Sequence, residues 1–369
     1  MNAGAWNASG RGLWELEDDM PFVRSLASVM VGAGLLAGAL SGRSQAQHGA
    51  DAQVCSLGSA AVGQPGTLIC KDLQSGATTQ SIPLGPTVAA AGGIAASLAG
   101  RDSRVLVTNQ AGGAILFRVG HGFLVNPLTL STGGEGTLSG ALGDRGAYVL
   151  TGTTLRFFPQ GQTTATSARP LLVGDGSAAT VTLTKLFAFV SEKNGSLEAF
   201  ALGADGSLGP AAPVSGVSPG VIVGITGLDQ LVVAPIAHLG SNANQSEISV
   251  AEGLAQVQRV PTKEVAACWA ANDGGEVCVA NPGSMTVSCG RTGSDGFLSY
   301  TGAAASLPGE SVFDLDMGQG LVVLQGLDGG APVLLTFQRT AGDFLTAISE
   351  IPVGTALAAG ALLLPPAYR

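Results

Sequence analysis

Two aspartates alternate in the run Val312-Phe313-Asp314-Leu315-Asp316, and Glu310 stands just ahead of it. In an extended chain residues two apart share a face, so Asp314 and Asp316 lie side by side if this run is a strand. Two carboxylates held close together and away from water raise each other's pKa, which suits one to general-base work or the pair to a cation. On a solvated face the same residues are ordinary surface acids. Charge also leads into a second run, where Lys263-Glu264 precedes a segment containing Trp269. His238 opens the segment His238 to Gln245, long enough to reach over a neighbouring opening. Asp314, Asp316, His238 and Glu264 are therefore the candidate catalytic side chains, and Trp269, Lys263 and Glu310 the candidate ligand contacts. Trp269 either stacks on a ligand or wedges between packed sheets. The other histidines beyond residue 46 are His48, near the chain's start, and His121, in the turn Gly120-His121-Gly122.

These residues are positioned by strands. Val265 to Ser306 reads as four short apolar runs, broken at Asn272-Asp273-Gly274-Gly275, Pro282-Gly283 and Ser294-Asp295-Gly296. Such breaks supply the positive φ that tight hairpins require. Four antiparallel strands in about 42 residues make one propeller blade. The second strand of this unit recurs as RVLVTN, GAYVLT, KLFAFVS, DQLVVA, GEVCVAN and QGLVVLQ, starting at 104, 146, 185, 229, 275 and 319. Intervals of 39 to 46 residues with only strand signals between them predict a propeller rather than a sandwich. The first unit, from Gln53, lacks a fourth strand, and a spare strand-like run closes the chain at Gly354 to Leu364. An all-β, seven-bladed propeller follows, in which the C-terminal strand completes the first blade and leaves no open edge.

Five cysteines in an exported chain point to disulfides with one thiol left over. Cys55 and Cys70 can close a loop in the first blade. Cys268, Cys278 and Cys289 are expected in one cross-strand row, where Cys278 can bridge only one of its neighbours. Structural zinc usually takes four ligands and no histidine lies close in sequence, so no metal is expected. Glycine-rich stretches such as Gly133 to Gly136 lack the strand-then-helix setting and the lysine of a phosphate loop. No cofactor is called for. Asn194 and Asn244 begin sequons in predicted turns, as glycosylation candidates in a eukaryotic cell.

Ser25 to Leu40 is apolar, follows Arg24 and precedes small residues at 44–46, which is the layout of a secretory signal. Residues 1–46 are expected to be an N-terminal extension and signal peptide, and 47–369 a single propeller domain, secreted or periplasmic. The remainder carries 14 basic and 22 acidic residues, a net of −8. An acidic, thinly charged surface argues against nucleic acid, and no run after the leader is long enough to span a bilayer. The expected partner is a small molecule or another protein.

Ala267-Cys268-Trp269, then Val279 to Ser288, then Asp295 to Ser299 resemble the secreted lactonase-like propellers with YVTN-type repeats. Val107-Thr108-Asn109, Ser191 to Leu197 and Gly203 to Leu208 repeat the pattern, so the resemblance runs from about Ser103 to Thr340. It implies a seven-bladed propeller and activities such as those of 6-phosphogluconolactonase or carboxymuconate cyclase. It also implies histidine, arginine and carboxylate at the channel mouth, with a Pro-His-Pro-His-like run that this chain lacks. Two functions are left open: a ligand- or partner-binding propeller, and an active lactonase.

Overall fold

Glycine pairs and Asx turns fold the chain into hairpins, and the hairpins into seven four-stranded sheets. The computed structural model describes residues 52–61, 64–86, 98–108, 111–238, 242, 245–293, 295–307, 312–340 and 345–364. The expected leader, Glu310, Asn244 and most of the 238–245 segment lie outside them.

The first sheet takes β1 (Gln53–Ser59), β2 (Pro65–Asp72) and β3 (Thr78–Pro86). The second holds β4 (Leu98–Arg101), β5 (Arg104–Val107), β6 (Gly113–Gly120) and β7 (Phe123–Ser131). The third holds β8 (Thr137–Gly143), β9 (Gly146–Thr151), β10 (Thr154–Pro159) and β11 (Ser167–Pro170). The fourth holds β12 (Ala178–Leu183), β13 (Phe187–Glu192), β14 (Leu197–Leu202) and β15 (Leu208–Pro213). The fifth holds β16 (Thr226–Leu228), β17 (Leu231–Ile236), β18 (Glu247–Glu252) and β19 (Ala255–Pro261). The sixth holds β20 (Trp269–Asp273), β21 (Glu276–Asn281), β22 (Thr286–Thr292) and β23 (Leu298–Ser306). The seventh holds β24 (Val312–Gly318), β25 (Leu321–Asp328), β26 (Ala331–Arg339) and β27 (Leu345–Pro352). The final strand, β28 (Leu357–Leu364), pairs antiparallel with β1 and completes the first sheet in the order β28-β1-β2-β3.

Each sheet is a blade. The innermost strands β28, β4, β8, β12, β16, β20 and β24 pack in a closed ring, each against the next. The blades face one another through apolar side chains. Tyr148, Leu150 and Phe157 of the third meet Val181, Val190 and Phe200 of the fourth. Burying each such side chain contributes roughly 1.5–3 kcal/mol, and the inter-blade layers are where this sequence places its largest apolar residues.

Two disulfides tie central strands together, Cys55 to Cys70 across β1 and β2, and Cys278 to Cys289 across β21 and β22. The expected three-cysteine row does not form. The hairpin between β20 and β21 closes on the pair Asp273↔Glu276, with Gly274 and Gly275 both at positive φ in the loop. That register puts Ala271, not Cys268, opposite Cys278, and leaves Cys268 a free, half-buried thiol ahead of the strand. Lys263 and Ala266 also have positive φ, so Val265 to Cys268 runs as a loop where the sequence suggests a strand.

Candidate functional site

The inner strands share a local device. Four residues before the pair that closes the first hairpin of its blade stands Ser139 in β8, Thr180 in β12, Gly224 just ahead of β16, Trp269 in β20 or Asp314 in β24. The ladder shifts register next to this position in β8, β12 and β24, and such a bulge re-aims the side chain. Ser139 Oγ accepts the Val181 N–H at 3.2 Å, and Thr180 Oγ1 accepts that of Ile225 at 3.2 Å. Two residues on, Thr182 Oγ1 accepts the Gly227 N–H at 2.9 Å. Hydroxyls on one inner strand thus hold backbone of the next.

Asp314 and Asp316 occupy the same two places in β24. Asp314 Oδ2 accepts the Ala361 N–H at 3.1 Å and Asp316 Oδ2 that of Leu363 at 2.8 Å, both on β28. Their other oxygens accept the N–H groups of Leu315 and Met317 at 2.8 and 2.9 Å. Desolvation pushes Asp314 up to about 7, against the opposing effect of its backbone donors and with a further push from Asp316. Desolvation likewise raises Asp316 to about 6, with Asp273 adding a smaller push. The two aspartates share a face, and that face is turned toward the neighbouring inner strand at the channel wall.

A cavity of about 390 Å³ lies within the ring, and Asp314, Asp316, Trp269, Thr180, Asn272 and Arg101 are among its lining residues. Trp269 is 5% exposed and packs over Gly224, where a Cβ would meet the indole at 2.6 Å. The wedge and the channel position therefore coincide in one residue. The indole Nε1 is buried with no hydrogen-bond partner among the described residues. Asn272 Nδ2 donates to Thr226 Oγ1 at 2.6 Å and to the Gly227 carbonyl at 2.9 Å, crossing from β20 to β16. Arg101 reaches Asp144 at 2.6 Å on the rim formed by the first hairpins of the blades.

The other predicted residues stand elsewhere. His238 Nε2 lies 4.0 Å from the buried Glu247, which also pairs with Arg259. Glu264 Oε2 accepts the Thr286 hydroxyl at 3.0 Å, and Lys263 is exposed in a left-handed conformation. Neither His238 nor Glu264 lines the channel cavity with the aspartates. Asn194 is exposed in the β13–β14 turn, where its carbonyl accepts the Ser196 N–H.

Residues outside the sequence-based set matter as much. Glu192, fully buried at the end of β13, accepts the Ser177 hydroxyl at 2.8 Å, and its second oxygen has no partner among the described residues. Burial raises it to about 7 and lowers Lys193 beside it. Nothing in the local sequence marks Glu192 as buried. Thr180 and Thr182, by contrast, alternate two places before a hairpin just as Asp314 and Asp316 do, and that shared pattern was available to find them.

No family model matches the chain, and no curated protein matches it in sequence. Several solved structures share its fold. A Lactobacillus plantarum protein aligns with 85% of this chain and 99% of its own at 14% identity, with a TM-score of 0.60. A periplasmic gluconolactonase of Pseudomonas aeruginosa aligns with 85% of this chain and 99% of its own at 12% identity, with a TM-score of 0.58. A Bacteroides fragilis protein assigned provisionally to the 6-phosphogluconolactonases aligns with 87% of this chain and 99% of its own, at 14% identity and a TM-score of 0.58. The seven-bladed propeller expected from the sequence is the fold these proteins share.

Proposed function

We propose that this chain is an exported propeller that binds a small, oxygen-rich molecule in its central channel. The cavity at the ring carries this reading, because Trp269, Asn272 and Thr180 bring an aromatic face and polar groups to its wall. About 390 Å³ lies within the usual size range of small-molecule sites. Two disulfides suit an oxidising compartment, and one neighbour of the same fold is periplasmic.

Binding fits the geometry better than turnover does. Opening a lactone needs a base on the attacking water and donors for the oxyanion. The oxygens of both aspartates already accept backbone N–H groups, and His238 lies away from them. A second reading, hydrolysis of a small cyclic ester, is favoured by the gluconolactonase among the structures of this fold and by an Asp314 poised near neutrality. Calorimetric titration with glucono-δ-lactone and gluconate, beside a hydrolysis assay over a lactone panel, separates the two. The binding reading predicts heats that Trp269→Phe weakens at least about tenfold, roughly 1.4 kcal/mol, with no turnover. Turnover lost in Asp314→Asn and kept in His238→Ala would establish the second reading. Absence of both heat and turnover across the panel would sink both for this ligand class.

A further inference from the structure

β28 is the one inner strand that no chain connection ties to the strand beside it in its own blade. Its blade begins again at Gln53, at the other end of the described chain. On one side β28 is held by its ladder to β1, and on the other by the side chains of β24. Among the described residues elsewhere in the ring, the staples at these two levels are neutral hydroxyls: Ser139, Thr180 and Thr182. At the closing seam they are two carboxylates.

We infer that Asp314 and Asp316 form a proton-dependent latch on ring closure, seated firmly when the pair is protonated and loosened when both carboxylates are ionised. A hydroxyl carries the same staple at every pH in the working range, whereas a carboxylate brings a buried charge that depends on pH. Residues two apart on a strand are separated by roughly 6.5 Å, so two charges here repel through a medium much less screening than water.

The surroundings offer little relief. β28 itself contains no titratable residue, and β25 places the neutral Gln325 opposite Asp314. From β20 comes Asp273, an acid already paired with Arg339. Arg101, at the end of β4, lines the same cavity but is committed to Asp144. Asp102 and Arg104 border the cavity on the far side of Asp316 and face each other at 3.8 Å.

The folded values, about 7 and about 6, lie above the ordinary value of 3.8 for an aspartate. A group raised on folding contributes stability that is complete below its unfolded pKa and is lost as pH climbs through its folded one. The seam is therefore tightest below about pH 4 and weakens as pH rises from there to about 7, while the hydroxyl-stapled seams keep their strength.

Amide hydrogen exchange on the full chain, corrected for intrinsic rates, tests this directly. Protection of the Ala361 and Leu363 amides should fall about tenfold or more between pH 5.5 and 8.5 relative to Val181, Ile225 and Gly227, each pK unit of linkage being a factor of ten. The double variant D314T/D316T, which copies the Thr180/Thr182 arrangement, should abolish that difference, and D314N/D316N serves as a second variant should the first not fold. Equal loss of protection at all five amides would overturn the latch. So would protection at Ala361 and Leu363 that rises with pH, since the carboxylates would then act as charge-strengthened acceptors. A pH slope that survives in both variants would assign it to other groups and overturn it as well.

Discussion

Gly227 stands where the backbones of β12 and β16 come closest, and a Cβ there would overlap the Leu183 carbonyl. A backbone obstacle cannot move aside as a side-chain tip can, so Gly227→Ala should destabilise by about 1–3 kcal/mol in urea unfolding, as overpacked sites do. Gly152→Ala, with nothing within 4 Å of the added methyl, should change the midpoint little. Glu192 gives a prediction of pH dependence. Its folded value of about 7 lies above the ordinary 4.5, so its stability contribution is complete below about pH 4.5 and lost as pH rises toward 7. Glu192→Gln should raise the melting temperature at pH 8, by about 1–2 kcal/mol equivalent, and leave it nearly unchanged at pH 4.5. A larger gain in acid than in base would contradict that assignment. At this scale the sequence was only partly legible. The alternation of Asp314 and Asp316 shows in five residues, but their acceptor role depends on a strand 47 residues further on, which local pattern cannot name. Glu192 lies in a stretch that reads as an ordinary polar turn, and the contact that caps its carboxylate comes from Ser177, 15 residues earlier in the chain.

Strands and turns were the most legible level, because each blade repeats the same hairpin chemistry at a nearly fixed interval. Where the reading slipped, a turn decided the outcome. Counting a hairpin about Asp273 aligns Cys268 with Cys278, whereas placing Gly274 and Gly275 in the loop shifts the register and leaves the bond to Cys278 and Cys289. Either loop is compatible with the letters Asn-Asp-Gly-Gly; the two glycines at positive φ select the second at lower strain. The consequence is measurable by thiol titration. Burial pushes the Cys268 thiol up to about 12, so a thiol-reactive disulfide reagent should count none in the native protein and one in denaturant. Two or more thiols in denaturant would show that the bridges are absent. Replacing Cys278 and Cys289 by serine together should cost about 2–3 kcal/mol, the range for closing a loop of this length. The two bridges rivet the middle of their blades, while the seams between blades rely on packing and on the inner-strand staples.

A ring has to close, and this one closes with its last strand inside its first blade. The composite blade makes the two ends of the chain hold each other, so that β1 has no unpaired edge while β28 is in place. Removing β28 by ending the chain at Pro352 should expose that edge and the apolar faces of Cys55, Leu57 and Leu68, which pack with Leu362 and Leu364. The expected result is aggregation on expression rather than a six-and-a-half-bladed monomer. A circular permutant separates the loss of the strand from the loss of the interlock. Gly133 and Gly134 lie between the second and third blades, exposed and with open space around them. Opening the chain there, with a short linker joining Leu364 to Gln53, keeps all 28 strands but makes every blade continuous in sequence. Such a protein retains every buried contact and loses only the mutual hold of its ends. It should fold to the same strand content by circular dichroism, yet melt several degrees below the parent, because the seam between the second and third blades then closes on packing and polar contacts such as Arg101–Asp144, with no strand shared between the two ends. A permutant as stable as the parent would show that packing between blades suffices and that the composite blade is a product of connectivity, without mechanical weight.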